Sequence, residues 1–166
     1  MNPKNKKGMT LMEMLVVVIV ILLMIMAAYP TYMSGLEKAR AQEAVQLISH
    51  LIAAQDKFQS ECYNMTASGC VYSSSFLNLP LNIEGPNQDT NITKTASSIT
   101  TSAFVYTLSE DGDITATPRN NSYSYTLTAT VGDEKIACNV VNGSDSGKKI
   151  CSAIAKKSNN NTYIIE

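Results

Sequence analysis

The apolar and polar positions of the chain separate most sharply near its N-terminus. Residues 1–8 are polar and include three lysines, whereas the sixteen residues from Met14 to Tyr29 are apolar or aromatic. This run approaches the roughly 20 residues that a helix needs to cross a bilayer, and the lysines predict that its N-terminal end stays in the cytoplasm. Glu13 lies at the edge of the run. A charge at that position is costly unless a cation pairs with it, so the pattern predicts a functional carboxylate.

Helix-forming residues continue beyond Pro30, from Thr31 to about Gln59. Pro30 removes a backbone donor and predicts a kink or local melting of the helix. In the second half of the helix the apolar arc is about twice as wide as the polar one, and we expect its extra width to contact neighbouring copies of the chain. The polar face comprises Glu43, Gln46, His50 and Lys57; the apolar stripes are Ala44, Leu47, Leu51 and Phe58, and then Val45, Ile48 and Ile52.

The rest of the sequence predicts an antiparallel sheet after a long connection. Residues 61–102 are rich in Ser, Thr and Asn, with interspersed Pro and Gly, and predict a connecting loop. Beyond them, apolar and polar positions alternate as in half-buried strands, and Asp111-Gly112 and Gly132-Asp133 predict turns. The expected strands are 103–109, 114–117, 123–131 and 135–141. The predicted fold class is α+β, with a long N-terminal helix, kinked near Pro30, packed on an antiparallel β-meander.

All four cysteines, Cys62, Cys70, Cys138 and Cys151, follow the apolar helix and therefore fall on the exported side. An even number of cysteines in an exported domain predicts two disulfides, for which three connectivities are possible. We favour Cys62–Cys70 and Cys138–Cys151, because each pair brackets a short polar segment. A zinc site is disfavoured, since seven and twelve intervening residues do not fit the usual paired ligands.

Composition and motifs disfavour several other function classes. Without the three leader lysines, 10 basic and 14 acidic side chains remain, which does not resemble the basic footprint of a dedicated nucleic-acid site. His50 has no nucleophile at a recognisable spacing. The acidic segment 110–113 lacks the spaced oxygen ligands of a calcium loop. The sequence therefore predicts a protein that is not an enzyme and has no metal or cofactor.

The segment 8–13, Gly-Met-Thr-Leu-Met-Glu, resembles the processing motif of the type IV pilin family. The family motif reads Gly, an apolar residue (usually Phe), Thr, Leu, any residue, Glu; here Met9 replaces the Phe. Pro30 falls where the family carries a helix-kinking proline. An ordinary signal peptide would end in a small-x-small cleavage site after a shorter apolar core, and this sequence lacks that site. The resemblance is specific over about residues 1–60 and only architectural beyond them.

The resemblance implies a route of processing and assembly. A prepilin peptidase would cut after Gly8 and methylate the new amine of Met9, while Glu13 and Pro30 would serve assembly. The subunit would first cross the inner membrane once and contact the inner-membrane assembly platform. It would then polymerise with copies of itself into an extracellular pilus. Pili of this kind serve adhesion, twitching motility or DNA uptake, and the sequence does not distinguish among these roles.

The predicted organisation has five parts. These are a cleaved leader (1–8), a hydrophobic transmembrane and fibre-core helix (9–30), its amphipathic continuation (31–60), a connecting loop (61–102) and a sheet with a disulfide-bounded C-terminal region (103–166).

The alternative function is a pseudopilin of a type II secretion system, whose N-terminal helix would look the same. Lys38-Ala-Arg40 resembles the pseudopilin pattern. Major pseudopilins, however, usually end in a calcium-binding loop and lack a C-terminal disulfide, so Cys138 and Cys151 favour a pilin. A membrane-tethered exported enzyme is a third hypothesis, which the absence of a catalytic grouping in the sequence weakens.

Overall fold

The computed structural model describes residues 10–66, 72–81, 92–120, 122–133, 135–157 and 161–165. The chain divides into two compact units, Met1–Leu36 and Glu37–Glu166. The described part of the first unit is helical from Leu11 onward. The second unit contains the rest of that helix, a sheet and a short second helix.

The long helix α1 (Leu11–Thr66) supplies residues to both units. It remains helical through Pro30, so the local melting that this proline predicts is not found; a kink there stays a prediction. The helix also extends past its predicted end near Ser60. Residues 60–66 are mostly weak helix formers, but propensity differences are below about 0.7 kcal/mol per residue. Extending an existing helix also avoids the cost of nucleation.

Within the described residues, one antiparallel sheet has eight strands in the spatial order β1-β2-β3-β4-β5-β6-β8-β7. Strands up to β6 follow one another as in the predicted meander, and β8 then lies between β6 and β7. The α+β fold class is therefore confirmed. The strands are β1 (Thr93–Lys94), β2 (Ser98–Thr100), β3 (Phe104–Leu108), β4 (Ile114–Pro118), β5 (Tyr125–Ala129), β6 (Ile136–Val140), β7 (Lys156–Lys157) and β8 (Thr162–Ile165). The second helix is α2 (Asp145–Ile154), and short 3₁₀ turns occur at Phe76–Asn78 and Val141–Gly143.

The four strands expected from the alternating pattern correspond to β3, β4, β5 and β6, with small differences at their ends. The two turns predicted between them contain Gly112 and Gly132, whose φ angles are 88° and 82°. Glycine adopts this left-handed region without the steric penalty of a side chain. The turn residues in the sequence therefore predicted both hairpins correctly.

Two segments differ from the predicted organisation. Strands β1 and β2 lie inside residues 61–102, which had been assigned to a loop; β2 has a single buried apolar residue, Ile99, so no alternation marks it. The polar segment bracketed by Cys138 and Cys151, for which the sequence analysis predicts no helix, contains the start of α2. Ser144 caps this helix, its side chain accepting a hydrogen bond from the Gly147 N–H at 3.5 Å, and Ile150 and Cys151 are buried. In both segments, burial in the tertiary structure therefore outweighs the structural preference of the local sequence.

The core of the second unit combines one face of α1 with the inward side chains of the sheet. The helix contributes Ala41, Ala44, Ile48 and Leu51, none of them more than 1% exposed. The sheet contributes alternate residues of each central strand, as the two-residue period of a strand requires. Among these are Ile99, Phe104, Tyr106, Ile114, Ala116, Tyr125, Leu127, Ala129, Ile136 and Cys138.

Both apolar stripes predicted for α1 are used within this unit. The partly buried members Val45, Leu47, Ile52 and Phe58 pack against the same core as the fully buried ones. The predicted polar face is exposed, as expected. The width of the apolar arc therefore reflects the breadth of the sheet and does not, by itself, support contacts with neighbouring copies.

A polar residue on the buried face of α1 holds the segment that follows the helix. Gln55 is fully buried, and its Nε2 donates to the Ser73 carbonyl at 2.8 Å. In return, the Ser73 N–H donates to Gln55 Oε1 at 2.9 Å. Tyr72 packs so closely on the β3–β4 turn that a Cβ at Gly112 would collide with it. The segment 72–73 is thus fixed between α1 and this hairpin.

Replacing Gln55 with Ala should lower the free energy of unfolding by about 2–5 kcal/mol, because both buried backbone groups of Ser73 would lose their partners. Denaturant titration of the detergent-solubilised chain measures this change. Gln46→Ala is the matched control: it removes the same side chain from the exposed face of the same helix and should cost less than about 0.5 kcal/mol. Equal effects of the two substitutions would contradict the assigned role of Gln55.

Candidate assembly segment

The start of α1 is fixed by Thr10. The Glu13 N–H donates to Thr10 Oγ1 at 3.3 Å and to the Thr10 carbonyl at 3.1 Å. Thr10 is therefore the N-cap, and Thr-x-x-Glu is the sequence of a capping box. Glu13 occupies the first helical turn, where the helix dipole favours a negative charge. Gly8 and Met9 lie outside the described residues, so cleavage after Gly8 and methylation of Met9 stay predictions.

The apolar run that follows Glu13 is not covered by any other described residue of its unit. Its large apolar side chains from Leu11 to Met26 are between 44% and 85% exposed. A helix that is apolar all round belongs in a membrane or inside a protein assembly, because soluble monomers rarely expose so large a patch. Within the described residues, α1 is the one helix long and apolar enough to cross a membrane.

A buried carboxylate marks the beginning of the second unit. Glu37 is only 2% exposed, and the Tyr125 hydroxyl on β5 donates to its Oε1 at 3.1 Å. The Arg40 guanidinium lies 3.6 Å from its other carboxylate oxygen. Burial, and then the charge of Glu37, raise the pKa of Tyr125 far above its ordinary value. The phenol is therefore protonated and able to donate at neutral pH.

The Glu37–Tyr125 hydrogen bond ties α1 to the middle of the sheet, and sequence reasoning did not single out either residue. A signal was nevertheless present. Glu37 lies on the same helical face as Ala41, Ala44 and Ile48, at spacings of three and four residues. A carboxylate in phase with a buried stripe must find partners, because burying an unpaired charge is costly.

The structure pairs Cys138 with Cys151, the connectivity favoured by the sequence analysis, with an S–S distance of 2.00 Å. Both residues are fully buried, and the bond fastens α2 to β6. Cys62 is not a free thiol. Cys70 lies outside the described residues, so the pairing Cys62–Cys70 stays a prediction.

The described part of the chain places no group of three or more His, Cys, Asp or Glu residues where they could hold a metal ion. His50 is exposed on the polar face of α1. The features that can be assigned a role are thus the capped carboxylate, the uncovered apolar helix and the anchoring cluster around Glu37.

The comparisons with known proteins identify the N-terminal part of the chain. Residues 3–29 match the family model of the prokaryotic N-terminal methylation motif, which is the leader signature of type IV pilins and prepilins. The match includes Gly8, Glu13 and the apolar run. The resemblance stated from the sequence is therefore confirmed for this segment. No curated protein and no solved structure matches the chain.

Replacing Tyr125 with Phe should lower the free energy of unfolding by about 1.5–3 kcal/mol, because the buried Glu37 carboxylate would lose its hydroxyl donor. Tyr123→Phe removes the same hydroxyl from a partly buried tyrosine two residues earlier and should have little effect. The measurement is again denaturant titration in detergent. A loss of stability in Tyr123→Phe as large as in Tyr125→Phe would exclude a specific role for the hydrogen bond.

Proposed function

We propose that the chain is a structural subunit that polymerises through its N-terminal helix into a type IV pilus. The observation that carries the proposal is the methylation motif joined to an apolar helix that nothing in its own unit covers. Cleavage after Gly8 would remove the three leader lysines and create an amine at Met9. The subunit would wait in the inner membrane and then leave it for an extracellular filament.

The position of Glu13 supports its assignment as the assembly carboxylate. Its backbone is held by Thr10, and its side chain projects from the first turn of an otherwise apolar segment. A buried carboxylate is tolerable when a cation meets it at the same depth. The methylated amine of Met9, in the same chain or in the adjoining subunit, would supply that cation.

The pilin is favoured over the type II secretion pseudopilin by the Cys138–Cys151 bridge. In the pilin family such a bridge commonly bounds the C-terminal region, and major pseudopilins usually have a calcium loop instead. The sequence Lys38-Ala-Arg40 keeps the pseudopilin as a second candidate. The prepilin peptidase, the assembly platform and other copies of the chain are the proposed partners in either case.

The mature protein should begin at methylated Met9, because the peptidase of this family cuts after the glycine that ends the leader. Intact mass and N-terminal sequencing of sheared fibres measure the mature start directly. A mature start beyond Tyr29 would exclude assembly through this helix and with it the proposed function.

Glu13→Ala should abolish or sharply reduce sheared fibres while leaving membrane insertion and cleavage intact. The substitution removes the pairing charge but makes the segment more hydrophobic. The test compares the membrane-bound subunit with sheared fibres in a strain that lacks the native copy. Glu13→Gln keeps a polar side chain without the charge and should fail in the same way.

Glu43→Ala is the matched control, since it deletes a carboxylate from the exposed polar face of the same helix. Cells producing it should assemble fibres normally. A normal fibre yield from Glu13→Ala would show that the Glu13 charge is incidental to assembly.

A further inference from the structure

Four charged side chains of α1 in residues 37–62 form ion pairs inside the chain. Glu37 is paired with Arg40, and Lys57 Nζ lies 3.8 Å from Glu61 Oε1. The other three, Lys38, Glu43 and Asp56, form no ion pair within the described residues. Of these, Glu43 acts on the Tyr106 phenol, whose pKa is raised by burial and then by the charge of Glu43. The remaining cation and anion are Lys38 and Asp56.

These two residues lie on the same face of the helix. Asp56 follows Lys38 by 18 residues, which is about five turns of 3.6 residues and about 27 Å along the axis. Asp56 is exposed and Lys38 is partly exposed. One helix face therefore carries a positive charge at one end and a negative charge at the other.

The surface between the two charges is neutral. Its exposed side chains are Gln42, Ser49 and Ala53, and the Ser49 hydroxyl is already bonded to the Val45 carbonyl at 3.0 Å. Ser49 and Ala53 are small and permit close approach of a second helix, and no charge in this stretch opposes it.

We propose that this face is an interface between copies of the chain, in which Lys38 of one copy lies beside Asp56 of the next. The inference rests on the proposed function, because insertion through the same leader makes all copies parallel. Parallel helices bring the two residues level when they turn these faces toward each other and are staggered by about 27 Å.

The arrangement has a consequence for assembly. Each pairing leaves one Lys38 and one Asp56 unused at the two ends, so the contact is heterologous and can be repeated without closing. Exposed ion pairs contribute little affinity. The pair therefore sets the axial stagger of subunits that other surfaces hold together. In an antiparallel pair of chains, Lys38 and Asp56 of each chain would both be paired with the other chain. No further chain could then be added through this contact, and assembly would stop at a dimer.

Zero-length carbodiimide cross-linking of wild-type sheared fibres tests the contact. The reagent activates a carboxylate, and a lysine amine in contact with it displaces the activating group as a urea and forms an amide. About 27 Å separates Lys38 from Asp56 within one chain, so an amide between them must join two chains. We expect a Lys38–Asp56 cross-linked peptide and a ladder of dimers, trimers and larger species.

The Lys57–Glu61 pair is an internal control, since its amide forms within one chain. Recovery of that peptide without the Lys38–Asp56 peptide would overturn the inference. A Lys38–Asp56 product that stops at dimers would overturn the staggered parallel form. Absence of fibres from the wild-type chain would overturn the proposed function itself, whereas fibres with methylated Met9 but no such cross-link would overturn this inference alone.

Charge reversal gives an independent test. Asp56→Lys and Lys38→Asp should each reduce fibre yield several-fold, and the double exchange should restore most of it because the pair is re-formed with opposite polarity. Glu43→Lys makes the same change in net charge as Asp56→Lys, on another face of the helix, and should have a smaller effect. A double exchange no better than the single variants would count against the contact.

Discussion

The uncovered apolar surface of the N-terminal helix is the constraint on which the rest of the structure depends. Lipid tails and the packed helices of a filament are both apolar, so passing from one to the other changes the hydrophobic free energy little. The hydrophobic effect can therefore keep the helix out of water without favouring a membrane over the proposed filament. Polar groups must therefore determine which of the two environments the helix occupies. In the described part of the run, Glu13 is the charged group available to do so.

In the second unit, polar residues on a buried face have a different effect. Apolar contacts between α1 and the sheet are tolerant of small shifts, because they depend mainly on area and shape. The hydrogen bonds of Glu37 with Tyr125 and of Gln55 with Ser73 are directional, and each joins residues far apart in the sequence. Displacing the helix by one turn would leave buried polar groups unpaired. The first bond fixes the helix on β5, and the second fixes it to the segment that packs on the β3–β4 turn.

Part of this architecture could be predicted from the sequence because local sequence patterns indicate it. Local signals mark three parts of it. They are the continuous apolar run, the alternation of apolar and polar residues in strands β3 to β6, and the backbone conformation that favours glycine at Gly112 and Gly132. The leader motif gave the family resemblance directly.

Other parts are decided by contacts distant in sequence. Strand β2 exists because it pairs with β3, and α2 forms where Ile150 and Cys151 can be buried. The partners of Glu37 and Gln55 could not be named in advance either. Glu37 and Gln55 lie in phase with the buried apolar stripe, which indicates that both are buried. Their partners, Tyr125 and Ser73, are brought next to them only by the fold. The sequence of the helix likewise did not show that the sheet would occupy both apolar stripes.

The order of the last two strands in the sheet bears on the sequence of events by which the domain folds. Strand β8 pairs with both β6 and β7, and β7 joins the described sheet through this pairing. The edge of β6 therefore stays open until β8 pairs with it. The Cys138–Cys151 bond can already hold α2 against β6 at that stage, since neither cysteine belongs to β8. The sheet is therefore completed only when Thr162–Ile165 pair with β6, which makes this pairing a late event in the folding of the domain.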